Sequence, residues 1–502
     1  MINTADIFRP YTDAETFSKI VDYDSVSQMW QHSVDTYPNN VAIVDNGTSV
    51  TYAELENQVA LIRGTLAQKG IKAGDTVGVY SPNSLFFVQA YLAVTTLGAC
   101  AVLLPAHLDK TTVFGCYFKF GLKALIYNPV LEENLALIKE KNPGAVLICD
   151  LTYGSEKLPM AQVEPTAPCA VIFTGGTTGK SKGALLCNRA IMKGAKNGCY
   201  GIRGVFEEKL FLVLPLTHVF GLIRNLMTAL YTGSSLYICR DNKNMFKEIM
   251  EFQPTTLVLV PALAEMALTL SKKFGRNMLG SSVKTIICGA ATVAPYLAKE
   301  YDKMGVTLLP GYGLTESANL VSGNPIPLQD ATSVGFVYPD IEYKIVDDEL
   351  WIKGLNVMDK YLGDEEENAI AFEDGYFKTG DLVKMNENGM LYIVGRKKEV
   401  IVLSSGENVY PAEIENKVYE IDTVQDCLIY EYNQQIYLEI LPRMEVVKAL
   451  GVEDLEKHYQ EKVALINETL APYEKINKII VRDTDFVRSP AMKILRGKNG
   501  KK

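Results

Sequence analysis

The sequence contains no CxxC pair, and its nine cysteines are scattered without regular spacing. In a chain of 502 residues that pattern argues against a zinc or disulfide framework and points to reduced thiols in a cytoplasmic protein. Positive charge is also in short supply: 50 lysines and arginines face 59 aspartates and glutamates, a net −9. Nucleic-acid binders normally carry the opposite balance, so no nucleic-acid partner is expected. The opening MINTADIFRP lacks a basic start followed by an apolar run, the mark of a secretory signal. A clean membrane span is missing too. Leu85 to Leu104 comes closest, but Gln89, Thr95, Thr96 and Gly98 interrupt it, and Pro82 and Pro105 bracket it. It reads as a buried helix followed by a core strand, not as an integral-membrane segment. Internal repeats and low-complexity linkers are absent as well.

What is present is a globular composition, 48% hydrophobic and 22% charged, on a chain long enough for at least two domains. Short apolar runs alternate with amphipathic stretches: Ala42–Val44, Thr76–Tyr80, Ala101–Leu104, Ala124–Tyr127, Val146–Cys149, Leu210–Leu214, Leu236–Ile238, Thr256–Leu259 and Thr285–Cys288. That rhythm predicts an α/β fold with two helix-covered, largely parallel sheets. After about Gly323 the runs shorten and turn signals multiply, as in a small β-barrel. A compact α+β unit follows, with strands near Ile401–Leu403, Gln425–Tyr430 and Ile436–Leu441 and a helix over Leu455–Leu470. The expected division is a large domain over 1–396 and a small mobile domain over 397–502.

The strongest local feature is Val171-Ile-Phe-Thr-Gly-Gly-Thr-Thr-Gly-Lys-Ser-Lys-Gly183. Glycines let a backbone approach phosphate oxygens, hydroxyls donate hydrogen bonds and lysines neutralise charge. A Gly-rich β-hairpin turn is the bland alternative, and three threonine hydroxyls with two lysines argue against it. A P-loop, GxxxxGK[ST], is the sharper rival. Gly179-Lys180-Ser181 supplies its end, but its first glycine would fall at Thr174, and no helix is expected afterwards.

Read as [ST]-x-G-[ST]-T-G-x-x-K-G, through Thr174, Gly176, Thr177, Thr178, Gly179, Lys182 and Gly183, the loop resembles the phosphate-binding signature of the adenylate-forming superfamily. That superfamily includes acyl-CoA synthetases, and the motif style here is closest to fatty acyl-CoA ligases. Its other motifs follow in order. Leu214-Pro-Leu-Thr-His218-Val219-Phe220-Gly221 resembles an acyl-pocket wall, with Gly289 and Ala290 facing it and touching the nucleotide. Gly311-Tyr312-Gly313-Leu-Thr315-Glu316 resembles the adenine and magnesium motif: Tyr312 against the purine, Thr315 on the α-phosphate, Glu316 on Mg²⁺. Gly380-Asp381 and Gly395-Arg396 resemble the ribose contacts, and Lys398 stands at the hinge position. Ser405, Gly406 and Glu407 resemble the thiol-tunnel loop. Lys493 resembles the carboxy-terminal catalytic lysine, although Met492 stands where the family usually has glycine.

The resemblance implies an AMP-forming acid–thiol ligase that uses ATP and Mg²⁺. Its catalytic set would be Lys493, Thr177, Lys182, His218 and Glu316. Val219, Phe220, Gly221 and Leu222 offer no acid to pair an ammonium, which disfavours amino acids as substrates. A fatty or other apolar acid is expected, although Arg224 and Asn225 leave room for a polar substituent. The acceptor is expected to be coenzyme A, with the phosphopantetheine of a carrier protein as the alternative.

Overall fold

The computed structural model describes residues 4–151, 156–174, 182–404, 407–488 and 494–500. Two sheets dominate the first three-fifths of the chain. The nine-stranded sheet runs, edge to edge, through Phe336–Val337, Ser322–Gly323, Thr307–Tyr312, Thr285–Cys288, Thr256–Leu259, Lys209–Leu212, Ser235–Ile238, Val41–Asp45 and Thr48–Thr51. Its inner pairs are parallel and only its outermost pairs antiparallel. The seven-stranded sheet is built around Thr76–Tyr80, Cys100–Leu104 and Ala124–Tyr127. Parallel strands covered on both faces need apolar residues on both. Cys100–Leu104 and Thr256–Leu259 are accordingly buried at every position.

The helix Leu85–Thr96 packs into the largest apolar cluster, and the strand Cys100–Leu104 alternates between that cluster and a second one, so the most membrane-like stretch of sequence is core. Among the described residues no helix is long and apolar enough to cross a membrane.

A five-stranded antiparallel sheet follows: Ile341–Val346, Glu349–Gly354, Phe372–Glu373, Tyr376–Met385 and Leu391–Arg396. Its first hairpin closes on Asp347 and Asp348 at φ 50° and 62°, the left-handed geometry that matches strand twist in a two-residue turn. The last part pairs Val424–Tyr432 with Gln435–Pro442, adds Ile476–Val481 in parallel, and packs the helices Pro411–Val418 and Leu455–Glu468 beside them. The α/β class expected from the strand–helix rhythm, with a large first part and a smaller last one, is the fold observed.

Candidate functional site

Thr174 ends the strand Pro168–Thr174 and Lys182 begins the strand Lys182–Cys187; the two residues are register partners in an antiparallel pair. The Gly/Thr-rich stretch therefore joins two hairpin strands, which corrects the opposition drawn above between a hairpin and a phosphate loop. Ordinary hairpin connections take about two to five residues, and 175–181 is longer than that. No helix follows it, as a P-loop would require. Gly176, Thr177, Thr178 and Gly179 lie outside the described residues, as do Ser405, Gly406 and Lys493.

Lys182 Nζ forms an ion pair with Glu367 and lies 4.9 Å from the centre of the Tyr361 ring. The Tyr361 hydroxyl in turn donates to Glu316 Oε1 at 2.7 Å. One tyrosine ring thus bridges the loop lysine and the carboxylate of a motif far along the chain. Burial, and then the Glu316 carboxylate, raise the Tyr361 phenol well above its ordinary range, so it stays a neutral donor. Among the described residues no cluster of three or more histidine, cysteine or acidic side chains forms a metal cage. A single carboxylate, Glu316, linked through Tyr361 to Lys182 nevertheless fits Mg²⁺, which prefers few protein ligands and several phosphate or water oxygens.

A second convergence centres on Asp381, only 2% exposed. The Tyr312 hydroxyl donates to its Oδ2 at 2.6 Å, and Arg396 Nε lies 2.7 Å from its Oδ1. Asp381 in turn raises the Arg396 guanidinium. Residues from three separate motifs therefore meet at one buried carboxylate. Gly313 permits the turn beneath them: a Cβ there would fall 1.3 Å from the Asn319 carbonyl oxygen. Thr315 is buried beside Glu316.

The His218 segment leads into a π-helix, Phe220–Met227, a wide-turned form that recurs at functional sites. Gly221 lets it start tight against the preceding loop, since a Cβ there would fall 2.2 Å from the Pro215 carbonyl oxygen. The Phe220 N–H donates to His218 Nδ1 at 3.2 Å, which leaves the proton of the neutral ring on Nε2. Val219 and Phe220 are buried. Phe220 Cζ lies 3.7 Å from the position of a Cβ on Gly289, which itself abuts Gly311, so the pocket-wall motif, Gly289 and the adenine motif are neighbours. Ala290 stands in the left-handed region at φ 69°, uncommon for a side-chain-bearing residue and typical of functional turns.

The chain then runs from Arg396 to Lys397, whose Nζ meets Glu349 Oε2 at 2.9 Å. Glu349 Oε1 also accepts the Gly380 N–H at 2.9 Å. Lys398 is exposed. The Leu403 N–H donates to the Glu407 carbonyl at 3.0 Å. On either side of 489–493, Arg488 meets Asp426 at 2.5 Å and Arg496 meets Glu415 at 2.5 Å, and Arg488 and Ile494 form an antiparallel bridge. The described residues on either side of 489–493 are thus held to the rest of the fold and to each other.

Residues 30–362 match the family model for AMP-binding enzymes, and residues 398–502 match the model for the AMP-binding enzyme C-terminal domain. The chain belongs to the AMP-binding enzyme family. Similar to this AMP-binding enzyme is an indoleacetate–CoA ligase of Aromatoleum aromaticum, 34% identical over 421 residues, covering 78% of this chain and 82% of that protein. A long-chain-fatty-acid–CoA ligase of Escherichia coli is 29% identical over 464 residues, covering 80% and 82%. Among solved structures, O-succinylbenzoate coenzyme A synthetase from Bacillus subtilis, in complex with ATP and magnesium ion, superimposes with TM-score 0.76 at 24% identity. That match covers 94% of this chain and 98% of that one. The resemblance read from the motifs holds: by family this is an acyl-CoA synthetase, of a family that uses ATP.

The sequence alone did not reveal Tyr361, Glu367 or Glu349. Each acts on a motif residue through tertiary contact, and none belongs to a motif of its own.

Proposed function

We propose that this AMP-binding enzyme condenses a carboxylic acid with coenzyme A at the expense of ATP, releasing AMP and pyrophosphate. In the first step a carboxylate oxygen attacks the α-phosphorus and the bond to the β-phosphate oxygen breaks; the products are acyl-AMP and pyrophosphate. In the second, the coenzyme A sulfur attacks the acyl carbon. AMP leaves, the thiol proton is released to solvent, and a thioester remains. No covalent enzyme intermediate is needed.

Both steps must bring anions together. Lys182, Lys493 and the threonines of the loop would face the phosphates, and Glu316 would hold Mg²⁺, whose charge screens them. Tyr361 orients Glu316 for that role. Asp381 would accept the ribose hydroxyls with Arg396 beside it, and Tyr312 would lie along the adenine. The observation that carries this reading is the meeting of Tyr312, Asp381 and Arg396 at one buried carboxylate.

Residues 1–396 would form the platform and 397–502 the moving unit. Arg396 and Lys397 are each tied to an acid of the platform, whereas Lys398 has no such anchor among the described residues. Rotation about Lys398 would present Lys493 for adenylation and Ser405–Glu407 for the thiol. The acid would enter along Val219, Phe220, Gly221 and Gly289, with His218 at the mouth. Free thiols at all nine cysteines, eight of them buried, fit a cytoplasmic enzyme.

The test is acid-dependent exchange of labelled pyrophosphate into ATP across a panel of acids. Mass analysis of the product with coenzyme A, and with a holo carrier protein, completes it. AMP, pyrophosphate and acyl-CoA are expected. Release of ADP and phosphate with every acid would remove the reading.

A further inference from the structure

Among the described residues, the buried basic side chains other than Arg224 each have an acid beside them. Arg63 has Glu56, Lys193 and Lys196 share Asp22 and Asp340, and Arg443 faces Glu265 at 3.4 Å without a direct hydrogen bond between them. Arg224 is 2% exposed, and among the described residues no hydrogen bond or ion pair reaches it; its Nη1 is fully enclosed and unsatisfied. The groups that perturb it are Tyr338 and Cys199. Burial pushes both of these up to about 12, so both are neutral at physiological pH. A guanidinium does not escape the cost by losing its proton. The fold therefore encloses a whole positive charge with no counter-charge, an arrangement that costs stability unless something supplies one.

Its position says where the counter-charge would come from. Arg224 stands about one π-turn beyond Phe220, and Phe220 adjoins Gly289 and Gly311. Arg224 also lines a cavity of about 20 Å³ with Ile287, Leu309, Gly311, Leu320 and Tyr338. Most of that wall is apolar, its polar side chains are Arg224, Tyr200, Tyr338 and Asn324, and Gly311 is shared with the adenine motif. About 10–15 Å³ holds one water, so the space admits an oxygen-bearing terminus the size of a carboxylate oxygen but not a phosphate.

We propose that the acid ligated by this enzyme is a dicarboxylate: one carboxylate is activated at the nucleotide, and the second is received by Arg224 at the small cavity it lines. This rests on the ligase reading above and narrows its substrate class. An apolar spacer between the two carboxylates would lie along Phe220 and Ile287. A guanidinium forms paired, charge-assisted hydrogen bonds with a carboxylate, whereas a methyl-terminated acid would leave it stranded.

The experiment pairs dicarboxylic acids with their methyl-terminated counterparts of equal length, aliphatic and aromatic, in pyrophosphate exchange with the wild-type enzyme and Arg224→Met. Wild type should favour the diacid in kcat/KM by at least tenfold. Arg224→Met should shift that ratio toward the monoacid by about 100-fold. The variant should also melt no lower than wild type without ligand, because Met fills the volume without stranding a charge. Added diacid should raise the melting temperature of the wild type only.

Equal use of both acid types by the wild type would overturn the proposal. So would a uniform loss across all acids in the variant, or a lower melting temperature without ligand; these are the marks of a structural arginine satisfied by a buried water. Exchange absent with every acid, alongside a diacid-induced melting shift that depends on Arg224, would sink the ligase reading and leave the dicarboxylate site standing.

Discussion

Two arginine–carboxylate pairs in this enzyme are built differently. Arg396 and Asp381 lie within the platform and meet at 2.7 Å, with the Tyr312 hydroxyl on the other carboxylate oxygen at 2.6 Å. Arg443 and Glu265 join the last part of the chain to the helix Pro261–Phe274, and their nearest atoms stand 3.4 Å apart. Neither Arg443 Nε nor Glu265 Oε1 makes a hydrogen bond, and the guanidinium lies 3.4 Å over the Tyr296 ring. Coulomb attraction changes little between 2.7 and 3.4 Å; directed hydrogen bonding is what differs. A pair that holds a substrate contact in place benefits from full bonding. On the proposed rotation, a pair across the boundary would make opening too costly if bonded as well.

The sharpest break of that comparison is to remove the cation that the proposed rotation would deliver. Lys493→Ala should slow pyrophosphate exchange about 10²–10³-fold, because one unit charge near 4 Å at an effective dielectric near 20 contributes about 4 kcal/mol. A loss under threefold would show that Lys493 is not the lysine in question. The ion pairs of Arg488 with Asp426 and of Arg496 with Glu415 are untouched by this substitution.

Next comes the pivot. Lys398→Pro should spare acyl-AMP formation and cut thioester formation by about 100-fold, since proline locks φ where the two conformations must differ. Equal losses in both half-reactions would mean that the platform-bound Arg396–Lys397 segment does not end at a hinge. On the fixed side, Asp381→Asn removes the charge that Arg396 and Tyr312 share. Each lost hydrogen bond to a charged group is worth about 1.5–3 kcal/mol, so the KM for ATP should rise about 10–100-fold. An unchanged KM would separate this cluster from nucleotide binding.

The two pairs were also unequally legible in the sequence. Asp381 and Arg396 sit in recognisable motifs, and the fold around them could be read because buried parallel strands such as Thr256–Leu259 and Thr285–Cys288 are continuous apolar runs punctuated by loops. Hairpin turns closed by Asp347–Asp348 and Asn433–Gln434, four residues at positive φ, carry weaker signals than Asn-Gly. The π-helix over Phe220–Met227 differs from an α-helix by hydrogen-bond register, which side-chain pattern does not encode. Glu265, Tyr361 and Glu367 act only through partners far along the chain: Glu265 is an acid on an amphipathic helix, ordinary in sequence and exceptional only once Arg443 is packed against it. Arg224 was visible as a polar residue near the pocket motif, but its lack of a partner emerges only when the surrounding core is in place.

The smallest expected effect belongs to the loose pair, and it depends on pH. Burial pushes the Glu265 carboxyl up to about 7, against a partial pull downward from Arg443, with Asp426 and Glu445 adding to the rise and Lys272 opposing it. Between its ordinary value near 4.5 and about 7, the packed state holds a proton that the exposed carboxyl has released. Stability therefore falls as pH rises through that window. A shift of this size has a ceiling near 3 kcal/mol, and relaxation at the interface should leave about 1–2 kcal/mol. Glu265→Gln cannot titrate, so its unfolding free energy, measured in urea from pH 4.5 to 8, should lose that slope whatever its absolute value. A slope identical to that of the wild type would place the titrating group elsewhere. The pair would then be a passive contact, and its poor bonding would no longer distinguish the moving boundary from the fixed site.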